Sequence, residues 1–202
     1  MKVRNDFAAR DALAARLRSI VAASPLLTSI LNRWGDVGLP NAWLSGSVIA
    51  QTAWNAAFGR SPEYGLADID IVYFDPADLS EEGEARQADR IRALFSDLPL
   101  WIDAKNEARV HLWYEAKFGY AITPYRSSEH AISTFPTTAG AVGIRPSIAG
   151  LSIIAPFGLS DLVNCTVRPN KVQITQAIYE AKVSRWRRCW PELTIMEWQD
   201  EG

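Results

Sequence analysis

A chain of 202 residues with 48% hydrophobic and 22% charged residues is long enough to bury a sizeable core, and its composition excludes the disordered and fibrous classes. Its formal net charge of −2 supplies no general attraction to DNA or to an anionic membrane, so any polynucleotide partner would need a local patch. Two cysteines, Cys165 and Cys189, lie outside any paired motif and make no zinc pattern with His111 and His130, as suits a reducing cytoplasm. No uncharged run reaches membrane-spanning length, Arg145 interrupting the best of them, and the residues from Met1 to Asp6 lack the apolar core of a signal peptide. The expectation is a cytoplasmic protein with no membrane partner.

From Asp6 to Ala23 the apolar positions Leu13, Leu17, Ile20 and Val21 recur at helical spacing, with Arg10, Arg16 and Arg18 on a solvated face. Pro25 opens a second helix through Leu26, Leu27, Ile30, Leu31 and Trp34, which Gly35 and Gly38 are expected to end. A short strand from Asn41 to Leu44 then leads into Ser45-Gly46-Ser47 and a helix carrying Val48, Ile49, Thr52, Ala53, Ala56 and Ala57. Glycine at such a turn lets the backbone approach a ligand, and the first N–H groups of the helix point at an anion. Ser47 stands where it can cap the helix or bond a phosphate oxygen. Trp54 reads as core rather than as a stacking platform. In the loop that follows, Arg60 is either a phosphate clamp or a solvated cation.

The run Asp68-Ile69-Asp70-Ile71-Val72-Tyr73-Phe74 reads as a strand, on which Asp68 and Asp70 share one face while Ile69 and Ile71 enter a core. Two adjacent carboxylates at the start of a hydrophobic strand are costly unless a cation joins them. Mg²⁺, or Mn²⁺, fits that need, since Mg²⁺ takes oxygen ligands and completes its shell with water and substrate phosphates. After an Asp75-Pro76-Ala77-Asp78 turn, a helix from Ser80 to Ser96 buries Ala88, Ile91, Leu94 and Phe95, with Glu81, Glu82 and Glu84 suiting its dipole. A strand from Leu100 to Ala104 returns Asp103 towards the pair, by a parallel crossover or within a mixed sheet.

Asn106 can cap a helix that runs to Lys117 and ends at Gly119. Lys105, Asn106, Arg109 and His111 then either face a nucleotide or are capping and surface charge. Beyond a short helix before Pro136, a hairpin pairs Ala141–Arg145 with Leu151–Ala155 and extends the sheet. Asp161, in a turn and short helix from Gly158 to Val163, reads as structural. The last helix, Ile174 to Trp190, has a buried stripe of Tyr179, Val183, Trp186 and Trp190 beside a basic stripe of Lys182, Arg185 and Arg188. The basic stripe reads as surface, and is the best local patch for an anionic acceptor.

Leu44-Ser45-Gly46-Ser47 followed by Asp68-Ile69-Asp70 resembles the signature of the DNA polymerase β-type nucleotidyltransferase superfamily. The stretches Lys105 to His111 and Ala155 to Leu162 are similar to those of a bacterial family of largely uncharacterised nucleotidyltransferase-like proteins, over about Trp43 to Asn170. One departure is the longer spacing between Ser47 and Asp68, with the excess in Phe58 to Gly65. The resemblance implies an α+β fold with an α/β-like core, a mixed β-sheet flanked by helices with N-terminal and C-terminal helices added. The length fits one nucleotidyltransferase-like domain over residues 1–202, with helical segment 1–38, catalytic core 39–170 and C-terminal helix and tail 171–202. The resemblance also implies transfer of a nucleoside monophosphate from an NTP to a hydroxyl acceptor, which is a small molecule, a protein or RNA. Asp68, Asp70 and Asp103 would be the catalytic metal ligands for Mg²⁺ or Mn²⁺, and Gly46, Ser47, Arg60, Lys105, Asn106 and Arg109 would bind the nucleotide. Two rival readings stand beside it: an inactive nucleotide-binding or regulatory module, and an interaction protein that docks a partner through Trp186, Trp190 and Trp198.

Overall fold

The computed structural model describes residues 2–199. Three helices come first, α1 (Lys2–Ala23), α2 (Pro25–Asn32) and α3 (Trp34–Val37), followed by β1 (Trp43–Ser45) and α4 (Ser47–Ala57). Then come β2 (Asp68–Tyr73), α5 (Glu81–Leu94), β3 (Trp101–Asn106), α6 (Val110–Phe118) and α7 (Ser128–Ile132). The chain continues through β4 (Gly143–Ser147), β5 (Gly150–Ile154), α8 (Ser160–Val163), β6 (Thr166–Val167), α9 (Gln176–Cys189) and β7 (Thr194–Ile195).

Caps account for several of these boundaries. Ser24, Ser80, Ser127 and Thr175 each accept a backbone N–H of the helix they precede, satisfying a donor that the first turn leaves free. Gly38 ends α3 in the left-handed region, but Gly35 does not stop a helix as its position suggested; it lies inside α3. Nor does Asn106 cap α6, because it is still the last residue of β3 and Arg109 precedes the helix.

Five strands form a mixed sheet in the order β3-β2-β1-β4-β5. β2 and β3 are parallel, joined by a crossover through α5, whereas β1 is antiparallel to both β2 and β4. The expected hairpin is present as β4 and β5. A small parallel pair of β6 and β7, which no sequence pattern announced, ties the segment after α9 back to the core. No single helix among the described residues is long and apolar enough to cross a membrane.

One face of the sheet, through Leu44, Ile69, Ile71 and Ile102, enters a core shared with Leu17, Ile49 and Ile91. The same core includes α9, whose Trp186 and Trp190 pack edge-on against Trp54 at 5.0 and 5.4 Å between ring centroids. Trp186 and Trp190 are therefore buried, and Trp198 packs against the core, which corrects the reading of these tryptophans as a docking surface. Trp54→Ala would open a cavity against the two indoles of Trp186 and Trp190, so it should lower the unfolding free energy by about 3–5 kcal/mol. Urea denaturation with an unchanged slope would record that loss as a lower midpoint.

The long loop after α4 packs onto α9, away from the opposite sheet face. Asn55 donates to the carbonyls of Pro62 and Tyr64 and accepts from the Trp190 indole at 2.7 Å. Gly65, with φ of 68°, lies so close to the Trp190 ring that a Cβ there would come within 2.8 Å of it.

Candidate active site

The opposite face of the sheet carries the acids. Register pairs Asp70 with Ser45 across the antiparallel β1 and with Asp103 across the parallel β3, so these three residues form one row over three adjacent strands. Asp68, two residues before Asp70, shares its face. At the end of β1, Gly46 takes φ of 82° and ψ of −156°, a region essentially restricted to glycine. A Cβ on Gly46 would stand 3.0 Å from the Asp70 Oδ2 atom, so the bare backbone is what lets the turn press against this carboxylate. α4 begins at Ser47 with no side-chain cap, leaving its first N–H groups directed at the same place.

Gly46, Ser47 and Asp70 line a cleft of about 160 Å³ that is closed by Phe135, Pro136, Thr137 and Gly140 and by Lys182 of α9. Burial raises the Asp70 carboxyl to about 6; Asp68 and Asp103 add to the rise, and Lys182 and Lys105 oppose it. Burial lowers the Lys182 ammonium from its ordinary value, against the pull of Asp70 and Asp68. Lys182 is thus the cation of this cleft, and its reading as mere surface charge is corrected. The signal in the sequence was its place directly before Val183, on the border of the buried stripe. Its partners on the basic stripe go elsewhere: Arg185 donates to the Gly65 carbonyl and Arg188 to the Ser184 hydroxyl.

Asp103 is held by its own strand and by cations. Lys105 Nζ lies 3.1 Å from Oδ2, Arg92 lies 3.5 Å from Oδ1, and the Ala104 N–H donates to Oδ1 at 3.0 Å. Burial alone would lower the Lys105 ammonium, but Asp103 and Glu84 outweigh it and hold the pKa above its ordinary value. Among the described residues no three acid, histidine or cysteine side chains converge tightly enough to grip an ion unaided. The donor set still fits a hard divalent cation. Asp68 and Asp70 offer only carboxylate oxygens, their mutual repulsion is relieved by a positive charge, and Mg²⁺ needs just one or two protein carboxylates.

Four candidate nucleotide ligands, Arg60, Lys105, Asn106 and Arg109, lie outside the Gly46–Asp70 cleft. Asn106 uses its whole amide on the chain: it accepts from the N–H groups of Asp75 and Ala108 and donates to the carbonyls of Asp75 and Asp78. Arg109 is nearly buried, donating to Glu84 at 2.8 Å and to the Leu79 carbonyl. Arg60 pairs with Glu192 at 2.6 Å and stacks on Tyr64, carried off by the loop that packs on α9. Lys105 alone of that group stays beside an acid of the row.

Glu107 was not singled out from the sequence. It directly follows β3, is only 7% exposed, and is raised to about 8 by burial, with Asp70 and Glu84 adding to the rise. At neutral pH it is therefore a protonated carboxylic acid at the margin of the site. Asp161, by contrast, is structural as read, accepting from Thr138 at 2.6 Å and from Arg168 at 3.2 Å.

The mixed five-stranded sheet flanked by helices matches the nucleotidyltransferase head-domain fold. The chain belongs to a nucleotidyltransferase family: the family model described as Nucleotidyltransferase matches residues 32–195, and the protein is an enzyme of that type. It is similar to a protein whose NMR structure reveals a CCA-adding enzyme head domain, with TM-score 0.73 and 26% identity, covering 89% of this chain and 95% of that one. It also aligns with the Thermotoga maritima CCA-adding enzyme complexed with tRNA, with TM-score 0.46 and 19% identity, covering 91% of this chain and 42% of that one. No curated protein sequence matches it.

Proposed function

We propose that the protein transfers a nucleoside monophosphate from an NTP to a hydroxyl acceptor in a metal-dependent reaction that releases pyrophosphate. The observation that carries this reading is the row of Ser45, Asp70 and Asp103, with Gly46 pressed on Asp70 and Lys182 facing it across the cleft. Asp68 and Asp70, with Asp103 beside them, would hold Mg²⁺ or Mn²⁺. Such an ion neutralises charge on the triphosphate and lowers the pKa of the acceptor hydroxyl. The first N–H groups of α4 and the Ser47 hydroxyl receive the departing phosphates, and Lys182 offsets their charge. Asp103 takes the proton of the attacking hydroxyl. As the new bond to the α-phosphorus forms, the bond to the β-phosphate oxygen breaks and its electron pair leaves with pyrophosphate. In this reading the catalytic core of residues 39–170 is incomplete without the C-terminal segment 171–202, which brings Lys182.

Thermal unfolding with each NTP, in Mg²⁺, in Mn²⁺ and in EDTA, tests the reading. At roughly 100 times its dissociation constant, a nucleotide that binds only the native state adds about 2.7 kcal/mol, or roughly 5–10 °C for a chain of this size. That shift should appear with a divalent cation, vanish in EDTA and shrink in Lys182→Gln. A shift of equal size in EDTA and in Lys182→Gln would remove both the metal and the lysine from the site.

A further inference from the structure

Beyond the edge strand β3, helices α5 and α6 enclose a second cleft, of about 360 Å³, whose floor is Asp103 and Lys105. It therefore shares the third acid with the site above. Cations outnumber carboxylates along its walls, and they differ in how firmly they are held. Arg109 is committed to Glu84 in a nearly buried ion pair. Arg92 pairs with Asp89 of its own helix at 2.5 Å, lies over the Trp101 ring at 4.4 Å and reaches Asp103 only at 3.5 Å, yet among the described residues its buried Nε–H has no partner. Lys117 has no carboxylate partner among the described residues and lies over the Trp113 ring at 5.3 Å. A lysine with no carboxylate partner among the described residues, an arginine with an unused Nε–H, a half-buried indole and the carboxylates of Glu81, Glu84 and Asp103 thus surround one volume.

We infer that this cleft receives the acceptor, and that the acceptor is a small phosphorylated hydroxyl compound such as a sugar phosphate. The inference rests on the proposed nucleotidyl transfer. Arg92 and Lys117 bind the phosphate, the first through its planar fork and the second as a point charge. The sugar lies against Trp113 and turns a hydroxyl to Asp103. Attack of the hydroxyl oxygen on the α-phosphorus forms the new P–O bond, the bond to the β-phosphate oxygen breaks, and the hydroxyl proton passes to Asp103. The size suits a small molecule, since pockets of about 300–1,000 Å³ hold such ligands. A polynucleotide would instead call for an extended basic surface, against the net charge of −2.

Titration calorimetry in Mg²⁺ with ribose 5-phosphate, ribose and a single-stranded RNA tetranucleotide bearing a free 3′-hydroxyl tests the inference on the full chain. Ribose 5-phosphate should bind at least about tenfold more tightly than ribose, and Lys117→Gln and Arg92→Gln should each weaken it by about tenfold, as expected for loss of a charged hydrogen bond. Lys117→Gln should leave the NTP-induced thermal shift unchanged. Equal binding of ribose and its phosphate, no binding of either at millimolar concentration, or wild-type affinity in both variants would overturn the inference. So would RNA binding that Lys117→Gln abolishes while ribose 5-phosphate fails to bind. Loss of the NTP shift from the wild type with phosphate binding intact would strike the proposed reaction, not the cleft.

Discussion

Asp70→Asn should unfold at a higher temperature than the wild type in EDTA at pH 8, while its nucleotidyl transfer falls by at least about 100-fold. The gain in stability follows from the cost of ionising Asp70 in the fold. Its carboxyl is raised from 3.8 to about 6 by burial and by Asp68, so the contribution to stability is whole below about pH 3.8 and is lost as pH rises to about 6. The full loss is roughly 2–3 kcal/mol at 1.36 kcal/mol per pKa unit, and an amide, which cannot ionise, escapes it. The activity falls because the same charge, unfavourable in the free protein, is what a cation and the triphosphate require. Melting curves at pH 4 and pH 8, beside transfer of an α-labelled phosphate, check both halves. A variant that is active, or no more stable at pH 8 than at pH 4 relative to wild type, would remove Asp70 from the centre of the site.

Glu107→Gln is the second substitution with a large expected effect, and here the pH dependence is the signature. Glu107 is raised from 4.5 to about 8, first by burial and then by Asp70 and Glu84, with Lys105 opposing. Its contribution is therefore intact below about pH 4.5 and lost progressively until about pH 8. Glutamine has nearly the same shape and stays neutral, so the variant should match the wild type near pH 4.5 and exceed it by about 3–5 kcal/mol at pH 9. Urea unfolding at pH 4.5, 7 and 9 measures the difference directly. A difference that does not change with pH would mean that Glu107 ionises freely in the folded protein.

Local sequence determined the elements and much of the site. Period-two alternation put Asp68 and Asp70 on one face and Ile69 and Ile71 on the other, and Gly46 marked the strand-to-helix turn, because both depend only on residues a few positions apart. The stripe of Tyr179, Val183, Trp186 and Trp190 was legible for the same reason, as was Trp54 in the core. Tertiary structure alone decided the parallel register that sets Asp103 level with Asp70, since strand pairing across a helix leaves no local pattern. It alone brought Lys182 across more than a hundred residues to the Gly46 turn, and drew Arg60, Asn106 and Arg109 to other partners. It also buried Glu107 without a counter-ion of its own among the described residues. A charged side chain looks the same in sequence whether it faces solvent, a carboxylate or a cleft; the fold decides among these, because the energy of a charge is set by what surrounds it.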